Sequence, residues 1–431
     1  MSKSVMVDLH SLIIGRELCF PIHDVNGVLL LAAGQPFTRE RKLRIIERGL
    51  NRVVLDETDV ENATLCAKPS DHDSAAGGEF NDRIAAKLES LIRSGKLSLS
   101  NTGPSVRKSV VLHGSAPYDE QQRAALIEQQ AKTAATVDEM LQGVAEGRNV
   151  EGSQASEVTE KYIKNLTVDI ASTLSVGFTD IQDPTLAQHS LNVAILAMAV
   201  GIEMGFDQAN VALLGITGLV QDVGMALVPK KIRQARRPLT EIEFLEIQKH
   251  PATSANVLER MSGIPDIVRL VAYQSHERPD GSGYPRGRDK KSIHPFARIL
   301  LVADSYAAMT ATRPHRPAMM PYAAMETLLR QAREWRVDPL VVRNLLHVLG
   351  LFPIGSHVTL SDGSVAKVLR SNGEDFTRPV VMRVQNSAGS SVDPTESAIV
   401  NLRGSDLEVI QALPTPGRRE IGLPQNGALT A

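Results

Sequence analysis

Residues His276 to Pro285 read HERPDGSGYP. A histidine and a glutamate close a helical pattern that begins at Pro265, and Pro279, Gly281, Gly283 and Pro285 then force the chain to stop and turn. Gly283 permits tight backbone geometry and Pro285 stiffens the exit, which fixes the Tyr284 ring and hydroxyl. Around this turn, from Ser156 to about Leu349, the chain is a succession of helical patterns. They cover Leu186–Met204, Gln208–Gln221, Glu241–Lys249, Ser254–Met261, Pro265–His276, Pro295–Thr310 and Pro321–Glu334, mostly bounded by Gly, Pro or Asp. No sustained strand alternation interrupts them, so the fold expected here is mainly α.

The same stretch carries a regular spacing. His189, Asp222, His250, His276 and Asp304 follow one another at intervals of 33, 28, 26 and 28 residues. Even intervals of this size arise when successive antiparallel helices each deliver one ligand to a shared site in a bundle core. A lone histidine on an apolar helix is usually a hydrogen-bonded core residue. Three histidines and two carboxylates in one helical frame instead suit iron, manganese, nickel or zinc.

Composition narrows the rest. Hydrophobic residues are 42% and charged residues 22%, which excludes wholesale disorder over the 431 residues, and the length points to more than one folded unit. The 47 basic and 49 acidic side chains leave a net charge of −2, so no broad cationic face for polymeric nucleic acid or anionic membrane is expected. A small local anion site is compatible with that balance. Cys19 and Cys66 make no disulfide framework and no CxxC zinc knuckle. The start, MSKSVMVDLHSL, shows no secretory pattern. The apolar runs Val193–Ile202 and Val211–Val220 fall short of the ~20 residues that span a bilayer. The expected location is the cytoplasm.

Five segments are expected. Residues 1–58 form a small α+β unit: apolar runs at Leu18–Ile22 and Val28–Ala32 flank an Asp24–Gly27 turn. Thr38 then caps a helix through Leu43, Ile45 and Ile46, which ends near Gly49 before a strand at Arg52–Leu55. Residues 59–152 are a linker, loosest in PSDHDSAAGGE (Pro69–Glu79), with a helix over Glu120–Gly147 whose many alanines and polar gaps favour a connector over the alternative, a coiled-coil-like homodimer contact. Residues 153–350 are the helical domain. Residues 351–412 are a small β unit with an Asp362-Gly363 turn, and 413–431 are expected to be a disordered tail.

The helical domain resembles the HD-GYP domains, helical hydrolases of the bacterial second messenger cyclic di-GMP. The resemblance runs from His189-Ser190 through QDVG (Gln221–Gly224), His250-Pro251 and HERPDGSGYP to ARILLVADSYAAMTATRPHR (Ala297–Arg316), and fades near Leu349. It implies an HD-type helical bundle with accessory segments on either side. It also implies divalent transition metals, iron or manganese, and a phosphodiester of cyclic di-GMP as the bound group. In the family pattern His189, Asp222 and Asp304 would serve one metal, and Asp222, His250 and His276 a second, with Asp222 the shared catalytic centre. Gly283, Tyr284 and Pro285 would shape the nucleotide site, and Arg313 and Arg316 match the basic pair that meets phosphate or guanine.

The departures point another way. Gln221 stands where the family has the doublet histidine, Ser275 where it has the first of two paired histidines, and Met225 where a lysine contacts phosphate. Thr185 and Ala307 replace the acidic residues of trinuclear members, so no third metal is expected. The expectation is a weakly active or inactive phosphodiesterase that binds the nucleotide or a signalling protein partner. The alternatives are an active metal-dependent phosphodiesterase and a scaffold with a vestigial pocket. His294, His315 and His347 carry no matching role.

Overall fold

The computed structural model describes residues 4–9, 12, 18–63, 88, 90–91, 99–178, 185–313, 316–392 and 398–423. The chain divides into two compact units, each assembled from separated stretches. Residues 1–99, 141–152 and 220–301 make the first, and 100–140, 153–219 and 302–431 the second. The stretch Pro69–Glu79, read as the loosest linker, lies outside the described residues, as does His315.

The first unit opens with β1 (Ser4–Asp8), β2 (Ile22–His23), β3 (Leu29–Leu31), α1 (Arg39–Glu47), β4 (Arg52–Asp56) and α2 (Glu57–Ala63). The strands lie in the order β1-β4-β2-β3, all antiparallel, with Val5 opposite Leu55. Asp24 Oδ1 accepts the backbone N–H groups of Asn26 and Val28, and Gly27 takes φ 81°, which closes the expected hairpin. Thr38 Oγ1 accepts the Arg41 N–H at 3.2 Å and caps α1. Leu9, Leu18, Ile22, Phe37, Ile45, Val53 and Leu55 close over a shared core.

The chain continues through α3 (Glu120–Ala145), β5 (Val150–Glu151), α4 (Ser153–Val168), α5 (Ile170–Phe178), α6 (Leu186–Glu203), α7 (Gln208–Val220) and α8 (Lys230–Arg233). Then come α9 (Glu241–Gln248), α10 (His250–Val257), β6 (Met261–Ser262), α11 (Asp266–Gln274), α12 (Pro295–Thr310), β7 (Ala318–Met319), α13 (Pro321–Arg333) and α14 (Pro339–Leu349). The fold is mainly α, with small strand units. One helix begins earlier than its sequence pattern: α10 starts at His250 rather than Ser254, because Pro251 fits a first helical turn, where no N–H partner is needed.

In the second unit α6 is buried along almost its whole length, from Ala187 to Ile202. A Cβ on Gly218 would stand 2.6 Å from Ala194 Cα, so glycine is what lets α7 approach α6 this closely. Leu186–Glu203 and Gln208–Leu227 are long and apolar enough to cross a membrane, which corrects the expectation that these runs fall short. Their apolar side chains are mostly buried inside the protein, as core helices require.

The second unit ends in β8 (His357–Leu360), β9 (Val365–Arg370), β10 (Val380–Gln385), β11 (Ile399–Asn401), β12 (Val409–Leu413) and β13 (Glu420–Ile421). Five of them form an antiparallel sheet ordered β11-β10-β9-β8-β12 over a core of Phe352, Val358, Leu360, Val368 and Val381. The sheet is tied to the helices by a buried pair: Arg370 donates through both Nη atoms to the Asp169 carboxylate at 2.8 Å. Strand β13 corrects the expectation of a wholly disordered tail. It pairs in parallel with β7, Arg418 donates to the Thr310 carbonyl at 2.6 Å, and the Glu420 carboxylate is buried against Thr415.

Candidate functional site

In the first unit the end of α7 delivers Gln221 and Asp222 into a short turn. A Cβ on Gly224 would stand 2.4 Å from the His250 carbonyl oxygen and 2.7 Å from the Ser254 nitrogen, so only glycine lets this turn lie on the start of α10. The Gly224 N–H donates to Ser254 Oγ at 2.9 Å and locks it there. Asp222 Oδ1 thereby comes 3.3 Å from His250 Nε2 and 3.5 Å from His276 Nε2.

These three donor atoms are built for a cation. Nδ1 of His250 donates to the Ile247 carbonyl at 2.7 Å, so in the neutral ring Nε2 presents its lone pair to Asp222. Asp222 and His250 are only 6% and 3% exposed. A lone pair facing a buried carboxylate is unfavourable unless a positive charge lies between them. Ligand atoms about 2.1 Å from a common metal stand about 3.0–3.4 Å apart, close to the distances seen. Without a metal that positive charge would be a proton on each imidazole: burial raises the Asp222 carboxyl, but hydrogen bonding and charge from protonated His250 and His276 would then outweigh it and hold it well below the usual carboxylate range. The residues present fit a divalent metal with mixed nitrogen and oxygen ligands.

The HERPDGSGYP turn folds back over this group. The Tyr284 ring stacks on His276, with centroids 5.0 Å apart and planes 7° from parallel, and the Tyr284 N–H donates to the His276 carbonyl at 3.1 Å. A Cβ on Gly283 would stand 2.2 Å from the Arg278 nitrogen, which explains the glycine. Sequence reading missed what holds the turn. The buried Glu277 carboxylate accepts the Arg286 N–H at 2.6 Å and the Arg288 N–H at 2.8 Å, and Arg286 Nε donates to Tyr273 Oη at 3.0 Å. Burial raises the Glu277 carboxyl. The signal was present, a glutamate inside a glycine- and proline-rich turn, but its partners are backbone amides that a sequence does not display.

In the second unit His189 Nε2 and Asp304 Oδ1 meet at 2.8 Å, the histidine from α6 and the aspartate from α12. Thr185 makes a capping box with Gln188 at the start of α6. Arg313 and Arg316 exchange both backbone hydrogen bonds. The Arg316 guanidinium donates to the Ala308 carbonyl at 2.8 Å and reaches the Met309 carbonyl at 3.4 Å, so it caps the end of α12. Arg313 has no side-chain partner among the described residues.

The departures are equally visible. Ser275 Oγ donates to the Ala272 carbonyl at 2.9 Å and is buried at the C-terminal end of α11. Gln221 is 1% exposed, and neither its amide oxygen nor its amide nitrogen has a hydrogen-bond partner among the described residues. The carbonyl of Met225 accepts from Arg233 Nη1 at 3.4 Å, which brings a cation near the position where lysine is lost. Ala307 is buried. His294 Nδ1 accepts the Phe296 N–H, and His347 pairs with Glu203, so both have structural partners.

Residues 179–341 match the HD domain family. Over 286 residues the chain is 30% identical to a cyclic di-GMP phosphodiesterase of Pseudomonas aeruginosa, an alignment that covers 66% of this chain and 67% of that protein. The chain belongs to the HD-GYP family. This HD-GYP protein is also 34% identical over 175 residues to 3'3'-cGAMP-specific phosphodiesterase 1 of Vibrio cholerae, covering 40% of each chain. It is 26% identical over 212 residues to a cyclic di-GMP phosphodiesterase of Borreliella burgdorferi, 49% of this chain and 55% of that one. It therefore spans about half the length of these last two relatives.

Proposed function

We propose that this HD-GYP protein holds divalent metal at Asp222, His250 and His276 and binds a cyclic dinucleotide of the cyclic di-GMP class beside Tyr284, with hydrolysis weak or absent. Iron or manganese suits the donor set. On the family pattern His189 and Asp304 would serve a metal and Arg313 would meet phosphate or guanine, with Arg316 holding its turn. The location proposed is the cytoplasm. When bound, the metal supplies positive charge for phosphodiester oxygens and lowers the pKa of a coordinated water. The protein contributes the rest: Asp222 and His250 are fixed through Gly224, Ser254 and Ile247, His276 is stacked on Tyr284, and the half-buried Tyr284 leaves part of its ring to a base.

The observation that carries the reading of weak hydrolysis is Ser275. Its hydroxyl is committed to Ala272, so Asp222 is met by two imidazoles where the family pattern supplies three. A neutral amide at Gln221 is also a weaker donor than imidazole. The preserved Asp222–His250–His276 group favours a second reading, an active phosphodiesterase on a reduced ligand set, because three protein ligands still make catalytic sites elsewhere. Manganese- or iron-loaded protein incubated with cyclic di-GMP, with products separated by chromatography, decides between them. Bound but intact cyclic di-GMP is expected. Linear dinucleotide or GMP that disappears on Asp222→Ala would establish the enzyme instead.

A further inference from the structure

The N-terminal strands and α1 carry no catalytic constellation, yet one of their side chains is buried against the turn that presents Tyr284. Lys42, on the second turn of α1, is 1% exposed, and its Nζ donates to the Arg286 carbonyl at 2.5 Å. Arg286 directly follows the Tyr284-Pro285 pair, and its own N–H is held by Glu277, the neighbour of His276. Gly287 takes φ 65°, and a Cβ there would stand 3.0 Å from Lys42 Nζ and 2.8 Å from the Gly281 carbonyl oxygen. The accessory helix, both ends of the turn and the glutamate beside a metal-ligating histidine therefore share one buried cluster. All of it lies within one compact unit.

We propose that Lys42 is a positioning residue for the Tyr284 turn, through which the N-terminal segment sets how tightly the site holds its cyclic dinucleotide. The proposal rests on the reading of that turn as the nucleotide site. Methionine would fill the same channel without stripping an ammonium of water. Burial lowers the Lys42 pKa to about 8, against the carboxylates of Glu277 and Asp8, which raise it, and the guanidinium groups of Arg286 and Arg288, which lower it further. A buried ammonium is a poor way to stabilise a fold. What it offers instead is a directed N–H donor on a carbonyl of the turn, and so a mechanical link between α1 and Tyr284. Such a link is reciprocal: if α1 biases the site, a ligand in the site must bias α1 by the same free energy.

Hydrogen exchange read by mass spectrometry on the full chain tests this, comparing wild type with Lys42→Met, each alone and with manganese and cyclic di-GMP. Without ligand, Lys42→Met is expected to speed exchange across residues 276–288 several-fold and leave strand His357–Leu360 unchanged. With ligand, wild type is expected to gain protection at Arg39–Glu47 as well as at 276–288. In Lys42→Met the protection at Arg39–Glu47 is lost and the affinity falls about tenfold. Lys42→Gln, which keeps a shorter N–H donor, is expected to lie between the two. It replaces Lys42→Met as the test if exchange at Arg52–Asp56 shows that the methionine variant has lost its N-terminal fold. Unchanged exchange at 276–288 in a folded variant overturns the proposal. Wild type that binds no cyclic di-GMP overturns the nucleotide reading instead, and the ligand-free comparison still decides the role of Lys42.

Discussion

Lys42 and Asp222 are both buried charges, and they differ in what their surroundings do for them. Asp222 is met by two imidazoles, whereas Lys42 is met by one carbonyl and a mixed field of Glu277, Asp8, Arg286 and Arg288. With a folded pKa of about 8 against 10.5, the unfolded chain binds more protons at Lys42 between those two values, so stability should rise with pH across that window. Below pH 8 the burial penalty is about 3 kcal/mol, of which the Arg286 hydrogen bond returns part. Lys42→Met should therefore be more stable than wild type by about 1–3 kcal/mol at pH 7, with the advantage shrinking towards pH 10, in urea denaturation at both values. A variant less stable at pH 7 would contradict this. Gln221→His is expected to tighten manganese binding at least tenfold in a metal titration, because it exchanges a neutral amide for imidazole. The candidate metal ligands were legible in the sequence because few residue types bind metal, and three histidines and two aspartates recur there at intervals of 26 to 33 residues. Lys42 was not, because a lysine on a short amphipathic helix reads as a solvated one until the neighbouring turn is in place.

At the scale of elements, capped and punctuated segments were the readable ones. Thr38 and Gly49 bracket α1, and Asp24 and Gly27 shape the hairpin beside it. Strand β1 was hidden because it pairs only with β4, and its own residues alternate between exposed and half-buried, giving little apolar contrast. Strand β13 was hidden for a similar reason: two residues in a polar tail become a strand only because β7 and the Thr310 carbonyl receive them. The β unit hangs on the Arg370–Asp169 pair, over which the Tyr118 ring lies 5.1 Å from the guanidinium carbon. Removing one partner leaves the other charged and buried, so Asp169→Ala should cost about 3–5 kcal/mol in equilibrium denaturation. A loss under 1 kcal/mol would show that the pair is relieved by solvent. Gly224→Ala should weaken manganese binding at least tenfold, because the added carbon must displace the His250 carbonyl.

Over the whole molecule, the linear segments of the sequence do not coincide with the compact units, each of which gathers three separated stretches. A reading along the chain sees composition change at residue 59 or 351. It does not see that residues 141–152 return to the first unit through a two-residue parallel pairing of β5 with β6. The net charge of −2 fits the proposal that anion recognition is confined to one small site. Metal should act on stability as well as on binding: manganese at a hundred times its dissociation constant should add about 2.7 kcal/mol and raise the melting temperature by several degrees. That shift should vanish with chelator or with Asp222→Ala. The account as a whole stands on a cyclic dinucleotide held beside Tyr284 and the metal group. Calorimetric titration of cyclic di-GMP into the manganese-loaded full chain measures this directly. Saturable heat with a dissociation constant of about 10 μM or tighter, lost on Tyr284→Ala, is the predicted result. No saturable heat up to millimolar ligand would contradict it.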